Sequence, residues 1–175
     1  MPPRDHVPWD HFWVYGAKDA RGVPKLVRRV GQLRGSRRVR SEALFELESC
    51  LEHQGGLSPA TVHVIPRLFA ILRERPGQPW QREALLALLA LLAVPQAGNL
   101  GGTFVDPATD YEGLDPRCFH ACADPAIARA CFLAVEEGVP SIMHMVNDPS
   151  ERVARAAATL LSLFRRHSAG PGGGA

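Results

Sequence analysis

Cysteine is scarce. Cys50, Cys118, Cys122 and Cys131 are the only four in 175 residues, too few and too irregularly spaced for a disulfide framework in a chain this long. Reduced thiols in a cytosol are the expectation. Long apolar runs are also missing: the longest, residues 84–94, has 11 residues, against the roughly 20 needed to span a bilayer. No membrane partner is therefore expected, and the run reads as a helix packed on several sides. The opening MPPRDHVPWDHF lacks a basic-then-apolar signal pattern, so a cytoplasmic protein is expected. No nucleophile triad, phosphate-binding loop, dinucleotide fingerprint or metal-binding helix motif is present, which turns the reading away from an enzyme and from any cofactor. Acidic residues are scarce at one end. Residues 1–40 carry ten Lys/Arg against three Asp/Glu, and residues 41–175 carry ten against fifteen, so the net charge of +2 hides a basic end and a mildly acidic remainder.

What the chain does have is a phrase that recurs three times. A β-branched residue, a proline, one spacer and two apolar residues form VPKLV at 23–27, IPRLF at 65–69 and VPSIM at 139–143. Each is followed by an arginine (Arg40, Arg82, Arg155) beside or opening an Ala/Leu-rich stretch, 16, 16 and 15 residues after its proline. The first two prolines lie 42 residues apart. A period near 40 built from two helical patterns predicts stacked helical hairpins, each too small to bury its own apolar face. Apolar content of 46% and charged content of 22% fit such a globular chain.

The expected layout is one all-α domain. Residues 1–20 form an aromatic N-terminal cap, with Trp9, Phe12 and Trp13 at helical spacing beside Tyr15. Residues 21–168 form an α-solenoid interrupted by a long loop, 95–123, and residues 169–175 form a disordered Gly-rich tail. Pro24 opens the first helix. The second helix shows Val39, Ala43, Leu47, Cys50 and Leu51 as its apolar stripe and ends near His53, with Gly55 and Gly56 in left-handed conformation. Ser58-Pro59 signals a helix start, and Pro66 is expected to break that helix near Val64. Helices are expected from Pro79 to Val94, from Asp124-Pro125 to Gly138 and from Val139-Pro140 to Asn147. A last helix is capped by Asp148, Pro149 and Glu151 in a capping box.

The stretch DPSERVARAAATLL at 148–161 resembles bacterial HEAT repeats related to phycobilin-lyase repeats, in which a loop aspartate precedes a helix opening with valine-arginine-x-x-alanine. RRVRSEALFEL, around Arg40, is similar more loosely because it lacks the aspartate. ALFELESCLEHQGGLSPATVHVIPRLFAIL at 43–72 is similar to a group of bacterial HEAT proteins with a His-Gln-Gly turn, some of them immunity-like or accessory. The resemblance implies a HEAT-like α-solenoid; it is weak for activity, because a fold does not dictate a function.

Candidate sites follow. The basic patch offers Lys25, Arg28, Arg29, Arg34, Arg37 and Arg38, suited to an acidic protein surface or to phosphates. Phe104, Asp110, Tyr111 and Glu112 in the long loop offer a contact surface for a protein. His53, Gln54 and Gly55 read as a structural helix end rather than a general base. The recurring arginines are expected to bond the loop carbonyls or aspartate of a neighbouring hairpin. Cys118, His120, Cys122 and Cys131 match metal ligands in type, but their spacing is not that of a zinc site, so no metal is expected. The reading is a non-catalytic scaffold for a protein partner. Nucleic-acid binding is the alternative, with DNA-glycosylase-like chemistry as its extreme form and the tryptophans as stacking platforms.

Overall fold

The computed structural model describes residues 7–32, 37–53, 56–74, 77–93 and 124–168. It is all-α, with 79% of the described residues helical. The elements are α1 (Val23–Val30), α2 (Arg37–Leu51), a two-residue antiparallel pair β1 (Glu52–His53) and β2 (Gly56–Leu57), α3 (Thr61–Glu74), α4 (Pro79–Ala93), α5 (Pro125–Gly138), a 3-10 helix (Val139–Asn147) and α6 (Glu151–Ser168). Two 3-10 turns, Trp9–His11 and Ala20–Gly22, precede them. No helix among the described residues is long and apolar enough to cross a membrane.

Helix starts follow local chemistry at three places. Pro24 and Pro140 sit in the first turns of α1 and of the 3-10 helix, where a missing N–H costs nothing. Asp124 caps α5 by accepting a hydrogen bond from the Ala126 N–H at 2.8 Å, with a proline at the next position. Pro66 departs from the pattern. It lies inside α3, and the expected break near Val64 does not occur. The reason is the stripe that runs through it. Thr61, Val64, Ile65, Leu68, Phe69 and Leu72 are all buried at spacings of three, one, three, one and three. An interior proline costs about 3 kcal/mol, whereas each large apolar side chain buried contributes about 1.5–3 kcal/mol. One continuous face outweighs one lost hydrogen bond, and the proline ring itself points to solvent.

The end of α2 also differs from expectation. Ala43, Leu47 and Leu51 form its buried stripe, while Val39 is 45% exposed, so the stripe does not reach the first turn. The helix stops at Leu51, and His53 belongs to β1 rather than to a last helical turn. The Leu51 carbonyl accepts from the Ser58 N–H at 2.9 Å and from the Thr61 hydroxyl at 3.1 Å, which satisfies an orphan acceptor at the helix end. Ser58 and Thr61 are buried for that purpose. Gly56 is in β2 and not left-handed as expected; it is a glycine because the Tyr15 phenol occupies the space that a Cβ would need.

α1 lies against α2 and the 3-10 helix against α6, while α3 meets α5 more than it meets α4. α1 also touches α3, α3 touches the 3-10 helix, and α4 packs extensively on α6. α5 fills in against both α3 and α4. α4 is thus covered on three sides, by α3, α5 and α6, as its near-continuous Leu/Ala surface requires. Its buried Gln81 donates to the Val30 carbonyl at the end of α1, so α1 and α4 share a polar tie.

Gly138, where α5 gives way to the 3-10 helix, is pressed against the ring of Phe69, which is 3% exposed. A methyl group there would overlap three ring carbons of a side chain that cannot swing out. Gly138→Ala is expected to destabilise the fold by about 1–3 kcal/mol through overpacking. Urea denaturation would measure it, and Phe69→Leu in the same chain should recover part of the loss.

Candidate recognition surfaces

The N-terminal segment caps the fold, but not as a helix. Trp9–His11 is a single 3-10 turn, and Val14 pairs with Ala17 in an isolated bridge around Gly16. Gly16 has φ +75°, the conformation that a tight turn demands at its third residue and that glycine adopts without steric cost. The rings of the N-terminal segment lie against α3 and the β1–β2 pair. Phe12 and Trp9 bracket His63, with centroids 4.9 and 6.3 Å away, and the Arg67 guanidinium lies 5.2 Å from the Trp9 ring. Trp13 meets Tyr15 edge-on at 5.1 Å, and Tyr15 tilts over His53 at 5.4 Å. Burial and the nearby Glu52 charge push the Tyr15 phenol above its ordinary range. His53 is therefore an exposed ring against a tyrosine. Gln54 and Gly55 lie outside the described residues.

The fold brings acids and rings onto the basic patch. Arg29 pairs with Glu46 at 3.3 Å, Arg38 with Glu42 at 2.7 Å, and neighbouring Arg21 with Asp19 at 2.8 Å. Arg37 stacks over Trp80 of α4 at 5.5 Å. Lys25 and Arg28 are exposed and have no ion-pair partner among the described residues. Arg34 lies outside those residues, as do Phe104, Asp110, Tyr111 and Glu112 of the long loop and Cys118, His120 and Cys122. Among the described residues no cluster of three or more metal-ligating side chains occurs. Cys131 is buried and its thiol is pushed up to about 12 by desolvation; Cys50 is raised by burial and by Glu46. Neither supplies a thiolate at neutral pH.

Of the recurring arginines, Arg82 does what the repeat implied. Its guanidinium forks onto the carboxylate of Asp148, in the connection before α6, with Nη2 donating to Oδ1 at 3.3 Å and Nη1 to Oδ2. Asp148 also accepts from the Ser150 N–H at 2.9 Å. Although this bond resembles the one by which Asp124 caps α5, α6 begins later than expected, at Glu151, and the Ser150 carbonyl accepts the first helical bond from Ala154 at 3.0 Å. Glu151 reaches forward to Arg155 at 2.5 Å and not back to a cap, so the expected capping box does not form. Arg155 is exposed and pairs within its own helix.

Among the described residues, grooves lie between α4 and α6 and between α1 and α3. One, of about 490 Å³, lies between α4 and α6: Ala87, Ala90 and Ala156 make its floor, and Glu83, Arg152 and Arg155 stand around it. The other, of about 290 Å³, lies between α1 and α3, with Gly31 and Ile71 as floor and Arg28 and Glu74 at its edge. Both combine a small-residue floor with charges of both signs. That arrangement can bind by shape and pairing. The α4–α6 groove was missed from sequence, though alanines three apart in a leucine-rich helix are the signal that marks it. Compared with protein-family models, with curated proteins and with solved structures, the chain finds no match.

Proposed function

We propose that this chain is a HEAT-like α-solenoid that recognises a protein partner without catalysing a reaction, in an accessory or immunity-like role. Successive helices leaning on one another support the solenoid reading, as does Arg82 near the start of α4, which grips Asp148 ahead of α6. The observation that carries the functional reading is the fate of the basic patch. Three of its cations and all three tryptophans are engaged inside the chain, leaving surfaces of mixed sign beside apolar-floored grooves. A phosphate backbone favours unpaired cations aligned in one field; a protein surface favours a mosaic of both charges around apolar contact.

The test compares wild type with Ala87→Arg/Ala156→Arg, which fills the α4–α6 groove from both walls. Capture from native lysate is expected to retain a protein with wild type and to lose it with the variant, far-UV circular dichroism being unchanged. Retention of duplex or single-stranded DNA, falling steeply with salt, would replace this reading with nucleic-acid binding.

A further inference from the structure

α4 is apolar almost all round, yet its Ala87 face is exposed among the described residues. Beside α6 that face opens into the groove of about 490 Å³. α4 lends Glu83, Ala87 and Ala90 to the groove, and α6 lends Arg152, Ala156 and Thr159. Both sets stand at i, i+4 and i+7, so each wall repeats at the helical period over about two turns, or about 10 Å. Facing seams of this period match the anchors of a third helix laid between them. A small ligand fits less well: Arg152, Arg155 and Thr159 are exposed, and a shallow trough cannot bury most of a small molecule's surface.

The charges select the kind of helix. Arg82, in the first turn of α4, holds Asp148 just ahead of α6, and the two helices pack extensively, so they run in the same direction. Glu83 and Arg152 therefore stand at the same end of the groove, on opposite walls. Neither side chain has an ion-pair or hydrogen-bond partner among the described residues, so the gap between them is too wide for them to close it themselves. Arg155, on the same wall as Arg152, is held only by Glu151 in a pairing open to water. This is also the end where α4 and α6 both present their positive dipole ends. A helix lying antiparallel to both meets that end with its own negative C-terminal turn.

We propose that the α4–α6 groove takes one helix of the partner protein, antiparallel to α4 and α6, with leucine or alanine side chains against the alanines. Near its C-terminal end that helix carries an acidic side chain facing Arg152 and a basic one facing Glu83. This inference rests on the protein-partner reading and deepens it by naming the element that makes contact. Ala87 and Ala156 let the helix approach closely, because no atom beyond Cβ stands in its way. Two turns of contact make a weak anchor, with a Kd of tens to hundreds of micromolar for that helix alone.

Fluorescence anisotropy with the full chain tests this, using two synthetic peptides of about 14 residues, cross-linked to hold them helical and sharing one leucine–alanine stripe. In the matched peptide glutamate faces Arg152 and lysine faces Glu83; in the exchanged peptide the two are swapped. Wild type is expected to bind the matched peptide with a Kd of about 10–200 μM and the exchanged one at least about tenfold more weakly. Glu83→Arg/Arg152→Glu, both outside the buried core, should reverse that order with circular dichroism unchanged. Ala87→Arg/Ala156→Arg should bind neither peptide. Three results would overturn the inference: no binding of the matched peptide at about 500 μM, a preference that the charge exchange does not reverse, or a matched peptide still bound by the groove-filling variant. Capture from lysate keeps the two claims apart. A protein held by wild type and lost with the groove-filling variant, together with a peptide order that the exchange does not reverse, removes this inference and leaves the partner reading standing.

Discussion

Arg82→Ala is expected to cost about 3 kcal/mol of stability, and Asp148→Ala about as much, lowering Tm by roughly 6–12 °C in a chain of this size. The side chains are 17% and 7% exposed, so each charge depends on the other in place of water. Without Arg82, the Asp148 carboxylate keeps one hydrogen bond, from the Ser150 N–H. Without Asp148, a guanidinium whose buried Nε already lacks an acceptor loses its other bonds too. The double variant should lose less than the sum of the singles, with a coupling of about 1–3 kcal/mol. Arg155→Ala provides the contrast. That arginine recurs at the same point of the repeat, but its pairing with Glu151 is 73% and 84% exposed, and its loss should cost less than about 0.5 kcal/mol. Chemical denaturation of all four chains decides the matter. Equal midpoints for Arg82→Ala and Arg155→Ala would mean that the fork onto Asp148 does not tie α4 to the start of α6.

The same ion pair marks the boundary of what the sequence could reveal. That an arginine opening one hairpin should meet the aspartate of another is legible from recurrence, because a repeated position has a repeated surrounding. Which arginine finds that partner is not, because Arg82 and Asp148 are 66 residues apart. The local rule for the helix start misplaced α6, which begins at Glu151. At Pro66 a local rule failed too. The proline's local cost is fixed, but the decisive quantity is the burial of Leu68, Phe69 and Leu72 beyond it, which only the packed fold supplies.

The functional surface was harder to read for a related reason. An excess of arginine in residues 18–40 is a property of the sequence, while its neutralisation by Glu42 and Glu46 and its stacking on Trp80 are properties of the fold. The aromatic spacing of Trp9, Phe12 and Trp13 is helical, yet Gly16 and the Val14–Ala17 bridge turn the segment back on itself, so the rings meet His63 and His53 instead of a common face. The long helix of leucines and alanines, by contrast, needed no distant information: a surface apolar on every side has only one place to go.

That central place makes α4 the position of greatest sensitivity, and Leu89→Ala is expected to destabilise the protein by about 2–5 kcal/mol. Leu89 is 0% exposed, and it lies in a helix walled by α3, α5 and α6. Leu85, Leu86, Leu88 and Leu92 around it are buried to within 2%. Walls built from three helices cannot all move inward when the side chain shrinks, so the loss includes the cavity as well as the transfer of the removed carbons. The closest control is Leu133→Ala in α5, where the leucine is 44% exposed and the change should cost under about 1 kcal/mol. The denaturant slope should be unchanged in both, since neither alters the surface that unfolding reveals. A Leu89→Ala loss no greater than that of Leu133→Ala would place the core somewhere other than α4, and with it the packing on which every surface described above depends.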